Sequence, residues 1–160
     1  MFRTMRRDKQ LLSQEQTVAI LEQGTAGVLA LSGDGGYPYA VPISYVYSDN
    51  KIFFHSAVDG HKIDAVKRSD KASFCVVDQD CVVPEEYTTY YKSVIAFGRI
   101  RILTEDSEKN AAIELLAKKY HPSDTPQGRG AAIAQAWSRM NLLELHIEHI
   151  TGKAARELTR

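Results

Sequence analysis

Two imidazoles, a hydroxyl and an ammonium fall within eight residues: His55, Ser56, His61 and Lys62, with Asp59-Gly60 between the pairs. A serine, a lysine and the free amides of a helix start are donors suited to a phosphate monoester, and charge-assisted bonds of this kind are the strong ones. Each residue alone has a plainer reading. A lysine on a first helical turn is ordinarily solvated, His55 alternating with Phe53 suits a structural histidine, and His61 suits a solvent-facing one. Asp59 opposes an anion unless its carboxylate caps the helix instead. The cluster points to an anion; no single member does.

The elements that hold this cluster follow from the local pattern of residues. The run 39–47 alternates, Val41, Ile43, Tyr45 and Tyr47 on one side, Ala40, Pro42, Ser44 and Val46 on the other, as a pleated strand requires. Asp49-Asn50 is turn chemistry, 51–56 returns as a strand, and 61–67 is a short helix. Pro42 has no amide hydrogen, so its strand needs an edge, a bulge or a ligand beside it.

Further strands are predicted over 27–32, 71–78, 91–103 and 140–150, giving six in all. Ser13 with Gln16 forms a capping box for a helix through Glu22, Asp106 opens a helix closed by Pro122, and 131–139 is a last short helix. The segments 79–89 and 121–130 are predicted loops. Gly98 in mid-strand predicts a bulge, a bend or close approach by another backbone. Strands and helices do not alternate as in a doubly wound sheet, so the expected fold is mainly β, a six-stranded antiparallel split barrel with peripheral helices.

The chain has 160 residues, Lys+Arg 20 against Asp+Glu 20, and 44% hydrophobic residues, which predicts one domain over residues 1–160. A net charge of zero gives no global field for nucleic acid or an anionic membrane. No apolar run has signal-peptide or membrane-spanning length, so a cytoplasmic location is expected. Cys75 and Cys81 form no disulfide framework and match no common zinc spacing. His146, Glu148 and His149 do not share one strand face, and no metal site is assigned. Trp137 is read as a core or interface anchor, and Tyr87, Tyr90 and Tyr91 as packing or pocket-lining residues. The sequence contains no Ser-His-Asp order, no recognisable carboxylate pair and no GxGxxG fingerprint, so no catalytic residue is assigned.

The stretches GYPYAVPISYVYSDNKIFFHSAVDGHKIDAV, YKSVIAFGRIRIL and ELHIEHITGKA, in that order after an N-terminal helix and strand, resemble the pyridoxamine 5′-phosphate oxidase-like FMN-binding split-barrel superfamily, within it the nitroimidazole-resistance branch. The resemblance covers nearly the whole chain. It implies a homodimer with two FMN sites at the subunit interface. Val41, Pro42, Ile43 and Ser44 would lie along the isoalloxazine ring, and His55, Ser56, His61 and Lys62 would hold the phosphate. Ser93 would come from the partner chain. It further implies an oxidoreductase, with nitroaromatic compounds as a substrate class and NAD(P)H as a transient reductant at the open flavin face. A non-enzymatic flavin binder and a haem-binding relative are the alternatives.

Overall fold

A computed structural model of the chain describes residues 1–159. It contains one antiparallel sheet of seven strands: β1 (Ala26–Ser32), β2 (Pro38–Ser44), β3 (Val46–Ser48), β4 (Lys51–Ala57), β5 (Lys71–Val83), β6 (Thr88–Ile102) and β7 (Met140–Ala154). Their order across the sheet is β2-β1-β5-β6-β7-β4-β3. Four helices accompany it: α1 (Gln14–Gln23), α2 (His61–Arg68), α3 (Asp106–Tyr120) and α4 (Pro126–Ala136). No helix among the described residues is long and apolar enough to cross a membrane.

The seventh strand comes from a break at Tyr45. The expected strand over 39–47 is two strands, and they lie at opposite edges of the sheet, joined only by that residue. The chain therefore leaves one edge and enters the other through a single side chain's position. Tyr45 is fully buried, its hydroxyl donates to the Leu21 carbonyl at 2.7 Å, and its backbone N–H donates to the Tyr120 hydroxyl at 2.9 Å. The Tyr45 carbonyl in turn faces the Tyr120 hydroxyl at 2.8 Å. Removing Tyr45 from both ladders thus leaves its backbone groups satisfied by α3, as buried polar groups require. Burial also drives its phenol well above the usual tyrosine range.

The sheet curls around a main core. Leu29, Phe54, Val94 and Leu145 are fully exclusive of solvent within it, and Ile63, Ala65 and Val66 of α2 close one side. A second cluster covers the other face of β4 and β7: Phe53, Leu142 and Met140 meet Ala112 and Leu116 of α3. Alternation therefore gives Phe53 and Phe54 to two different cores.

Local expectations fare unevenly. The Ser13–Gln16 capping box is present in both directions. The segment 79–89 is not a loop: β5 and β6 run on as a two-stranded ribbon to a tight turn at Pro84–Glu86, with Tyr87 at φ 51°. Its β-branched Val82, Val83, Thr88 and Thr89 carried that signal. Likewise α4 starts at Pro126, five residues before the expected start, because the Thr125 hydroxyl accepts from the Gly128 N–H and Pro126 suits a first helical position.

At Gly98 the register of β6 on β7 shifts between Phe97 and Gly98, and a Cβ there would lie 2.0 Å from the His146 carbonyl oxygen. Close approach of another backbone is the reason for this glycine. Gly98→Ala is expected to cost about 2–3 kcal/mol by forcing β6 from β7; a urea-unfolding midpoint equal to wild type would contradict that reading.

Candidate functional site

β2 is an edge strand bonded only to β1, with Val28 opposite Pro42 and Ala30 opposite Ala40. Just before it, the Tyr37 carbonyl accepts from the Gly33 N–H at 2.8 Å, which fixes odd-numbered residues as those facing β1. By alternation Pro38, Ala40, Pro42 and Ser44 turn their backbone groups to the free edge. Two prolines there remove two of four donors, which discourages pairing with another strand. The carbonyls and the Ala40 and Ser44 amides remain available. Side chains at these even positions are all exposed, whereas Val41 and Ile43 are half-buried against the main core.

α2 begins beside this edge. Its N-cap is Gly60, at φ 113° and ψ 175°, with no side-chain cap, so Asp59 is not the capping residue. That backbone conformation is open almost only to glycine. It leaves the first-turn amides uncapped, the end of the helix where partial positive charge gathers. The His61 ring stacks on Tyr39 of β2 at 3.9 Å between centroids, and its Nε2 lies 3.7 Å from the Asp34 carboxylate. Arg68 donates to the same carboxylate at 2.6 Å and to the Gly33 carbonyl at 2.8 Å. The Arg68 hydrogen bond above all, with the His61 charge second, holds Asp34 below the usual carboxylate range. Tyr39, Asp34 and Arg68 thus pin both ends of α2 to β2 and the turn before it. None of the three was singled out by spacing; Asp34 and Arg68 lie 34 residues apart in sequence.

Lys62 is half-buried and has no ion-pair partner among the described residues. Burial pushes its ammonium below the usual lysine range. A cation held in that position without a carboxylate, next to uncapped amides, is an arrangement that an anion completes. Ser56 is buried on the face of β4 that carries Ile52 and Phe54, which is the α2 side of the sheet. His55 points to the opposite face with Phe53 and is exposed. The structure therefore gathers β2, His61, Lys62 and Ser56 around one core and turns His55 away from it.

Ser93 lies on β6, opposite Val77 and Lys153, and faces outward between the buried Val94 and its neighbours. Three strand spacings separate it from β2, roughly 14 Å at about 4.8 Å each. Within one chain it is not part of the β2–α2 constellation.

Because nothing lies within 4 Å of a Cβ built on Gly60, a substitution there acts through backbone conformation alone. Gly60→Ala is expected to destabilise by about 1–3 kcal/mol, while Gly130→Ala, equally unobstructed but without positive φ, costs nothing measurable. Equal thermal midpoints for wild type and Gly60→Ala would contradict this.

Comparison with known proteins agrees with the architecture. No curated protein sequence matches the chain. Among solved structures, a candidate 5-nitroimidazole antibiotic resistance protein from Bacteroides thetaiotaomicron superposes with a TM-score of 0.76 at 18% identity, covering 90% of this chain and 86% of that one. A FAD-binding protein from Mesorhizobium loti gives 0.66 at 22% identity, covering 91% and 96%. A FAD- and haem-binding protein from Mycobacterium smegmatis gives 0.71 at 19% identity, covering 92% and 74%. At these identities the likeness establishes a shared fold. The sequence model of one family matches residues 13–154, and the chain belongs to that family, described as pyridoxamine 5′-phosphate oxidase.

Proposed function

We propose that this protein is an FMN-binding flavoprotein, a flavin-dependent oxidoreductase with nitroaromatic compounds such as nitroimidazoles as a substrate class. The observation that carries the reading is Lys62, half-buried and unpaired beside the uncapped start of α2 and adjoining a free strand edge. Lys62, the α2 amides and Ser56 supply donors for a phosphate monoester. The free edge of β2 supplies carbonyls and the Ala40 and Ser44 amides for the hydrogen-bonding rim of a flat heterocycle, with Pro42 against the ring. A bound flavin supplies the hydride and electron exchange, and the chain's part is to hold it and shape access to it. NAD(P)H, as reductant, meets the open ring face transiently. The relatives named as FAD-binding favour FAD as a second reading for the flavin, and the one named as FAD- and haem-binding keeps haem in view.

The meeting of the sheet's two edges at Tyr45 supports reading it as a split barrel. The outer face of that sheet supports a homodimer. Across it, Val28, Cys75 and Ile95 are successive cross-strand neighbours, and Val28, Val77, Ile95 and Phe97 are between 39% and 62% exposed. Contiguous apolar surface of this kind marks an interaction site. A second copy docked there can bring its Ser93 to the β2–α2 constellation of the first, which one chain does not do.

Light scattering with simultaneous absorbance tests both claims. The expected particle has twice the 17.9 kDa chain mass and absorbs in the near-ultraviolet and blue, and the released ligand has the mass of FMN. A Soret band without flavin, or a monomer that holds flavin tightly, contradicts the proposal. In Lys62→Ala, flavin affinity is expected to fall by about tenfold or more, the worth of one charge-assisted bond, with mass and fold retained; an unchanged titration removes Lys62 from the site.

A further inference from the structure

A ligand with a flat ring at one end and a phosphate at the other meets two half-sites on separate elements. The ring edge belongs to β2, which is hydrogen-bonded only to β1. The phosphate grip belongs to the start of α2, and β3 and β4 lie between the two in the chain. Such half-sites act together only when they are held at the span of the ligand. Ile63, Ala65 and Val66 seat α2 on the main core, but apolar packing is non-directional and does not by itself fix the distance from the first turn to β2.

Directional contact between the two elements runs through His61. Its ring stacks on Tyr39 of β2, with centroids 3.9 Å apart and planes 22° from parallel. Its Nε2 faces the Asp34 Oδ2 at 3.7 Å, while the Oδ1 of the same carboxylate accepts from Arg68 at 2.6 Å. Asp34 stands in the turn that leads into β2, and that turn is itself held, since the Gly33 N–H donates to the Tyr37 carbonyl and Arg68 to the Gly33 carbonyl, both at 2.8 Å. The first and last residues of α2 thus meet one carboxylate beside β2. The helix is fixed in position and in rotation about its axis.

The same contacts leave His61 poorly placed as a phosphate ligand. Tyr39 covers one face of its ring, and the carboxylate beside its Nε2 repels an anion from that nitrogen. Lys62, one residue on, is turned by about 100° around the helix axis, away from this bracket.

We propose that His61 is a positioning residue: through its stack on Tyr39 it sets the span between the ring-binding edge of β2 and the phosphate grip of Lys62 and the α2 amides, and it makes no bond to the phosphate. Resting on the flavin reading above, the stack thereby governs the preference for FMN over riboflavin, because riboflavin uses the ring edge alone. What the site needs from His61 is a flat ring, and its nitrogens are dispensable.

Titration of FMN and of riboflavin into flavin-free protein tests this, with the ratio of the two dissociation constants as the readout, since a general loss of fold weakens both. His61→Ala is expected to lower the preference for FMN by roughly tenfold with riboflavin affinity retained. His61→Phe, which keeps a flat ring and has no ring nitrogen, is expected to retain the wild-type preference. Tyr39→Ala is expected to match His61→Ala, and the two together to lose no more than either alone. An unchanged ratio in His61→Ala, a loss in His61→Phe as large as in His61→Ala, or additive losses in the double variant overturns the assignment. Hydrogen exchange in the flavin-free protein reads the fastening by itself. The α2 amides from Asp64, which donates to the Gly60 carbonyl at 3.0 Å, to Arg68 are expected to exchange faster in His61→Ala and at the wild-type rate in His61→Phe. Equal rates in wild type and His61→Ala contradict the positioning role. A wild type that binds riboflavin as tightly as FMN counts against the proposed function, and exchange then still decides whether His61 fastens α2.

Discussion

Tyr45 is the sole link between the two edge strands of a seven-stranded sheet, and it is taken out of both ladders. Its backbone is satisfied instead by Tyr120 at the end of α3, its hydroxyl by Leu21 near the end of α1, and the Lys119 ammonium sits 4.2 Å from its ring centroid. Gly24 is matched to this arrangement, since a Cβ there would come within 2.4 Å of the Tyr45 hydroxyl. Without the handover at Tyr45, β2 would have to stay in register with β3 and would not be an edge strand. The free edge, the prolines on it and the helix pinned beside it all follow from that break.

The second constraint is the fastening of α2. An eight-residue helix has little stability of its own. Ile63, Ala65 and Val66 bury one face in the main core, and the polar bracket of Asp34, His61, Tyr39 and Arg68 fixes the helix against β2. His61 is thereby engaged in positioning, and Lys62, one residue on, is the group left unpaired. A short helix with a glycine start would be a weak anion site if it moved; the bracket is what makes its first turn a fixed feature of the surface.

Much of this was legible in the sequence, and the exceptions have physical causes. Alternation in 39–47 correctly separated the core-facing Val41 and Ile43 from the outward Pro42 and Ser44, because period two survives whatever the strand pairs with. The same alternation hid the break at Tyr45, which changes the strand's partners without disturbing the pattern. Gly98 announced a close approach that register and a 2.0 Å obstruction explain. His55 and Ser56 are adjacent in sequence and so were grouped, yet adjacency in a strand sends side chains to opposite faces. The Asp34–Arg68 bracket joins residues 34 apart in the chain, and no local spacing encodes it.

In the function proposed above, the β2–α2 constellation grips a flavin by its phosphate. The most direct measurement is the ratio of dissociation constants of riboflavin and FMN for the ligand-free protein. The two ligands share the ring and ribityl chain and differ only in the phosphate. FMN is expected to bind on the order of a hundredfold tighter, the equivalent of about two charge-assisted hydrogen bonds, with the difference shrinking in Lys62→Ala. Equal affinities for riboflavin and FMN would contradict it.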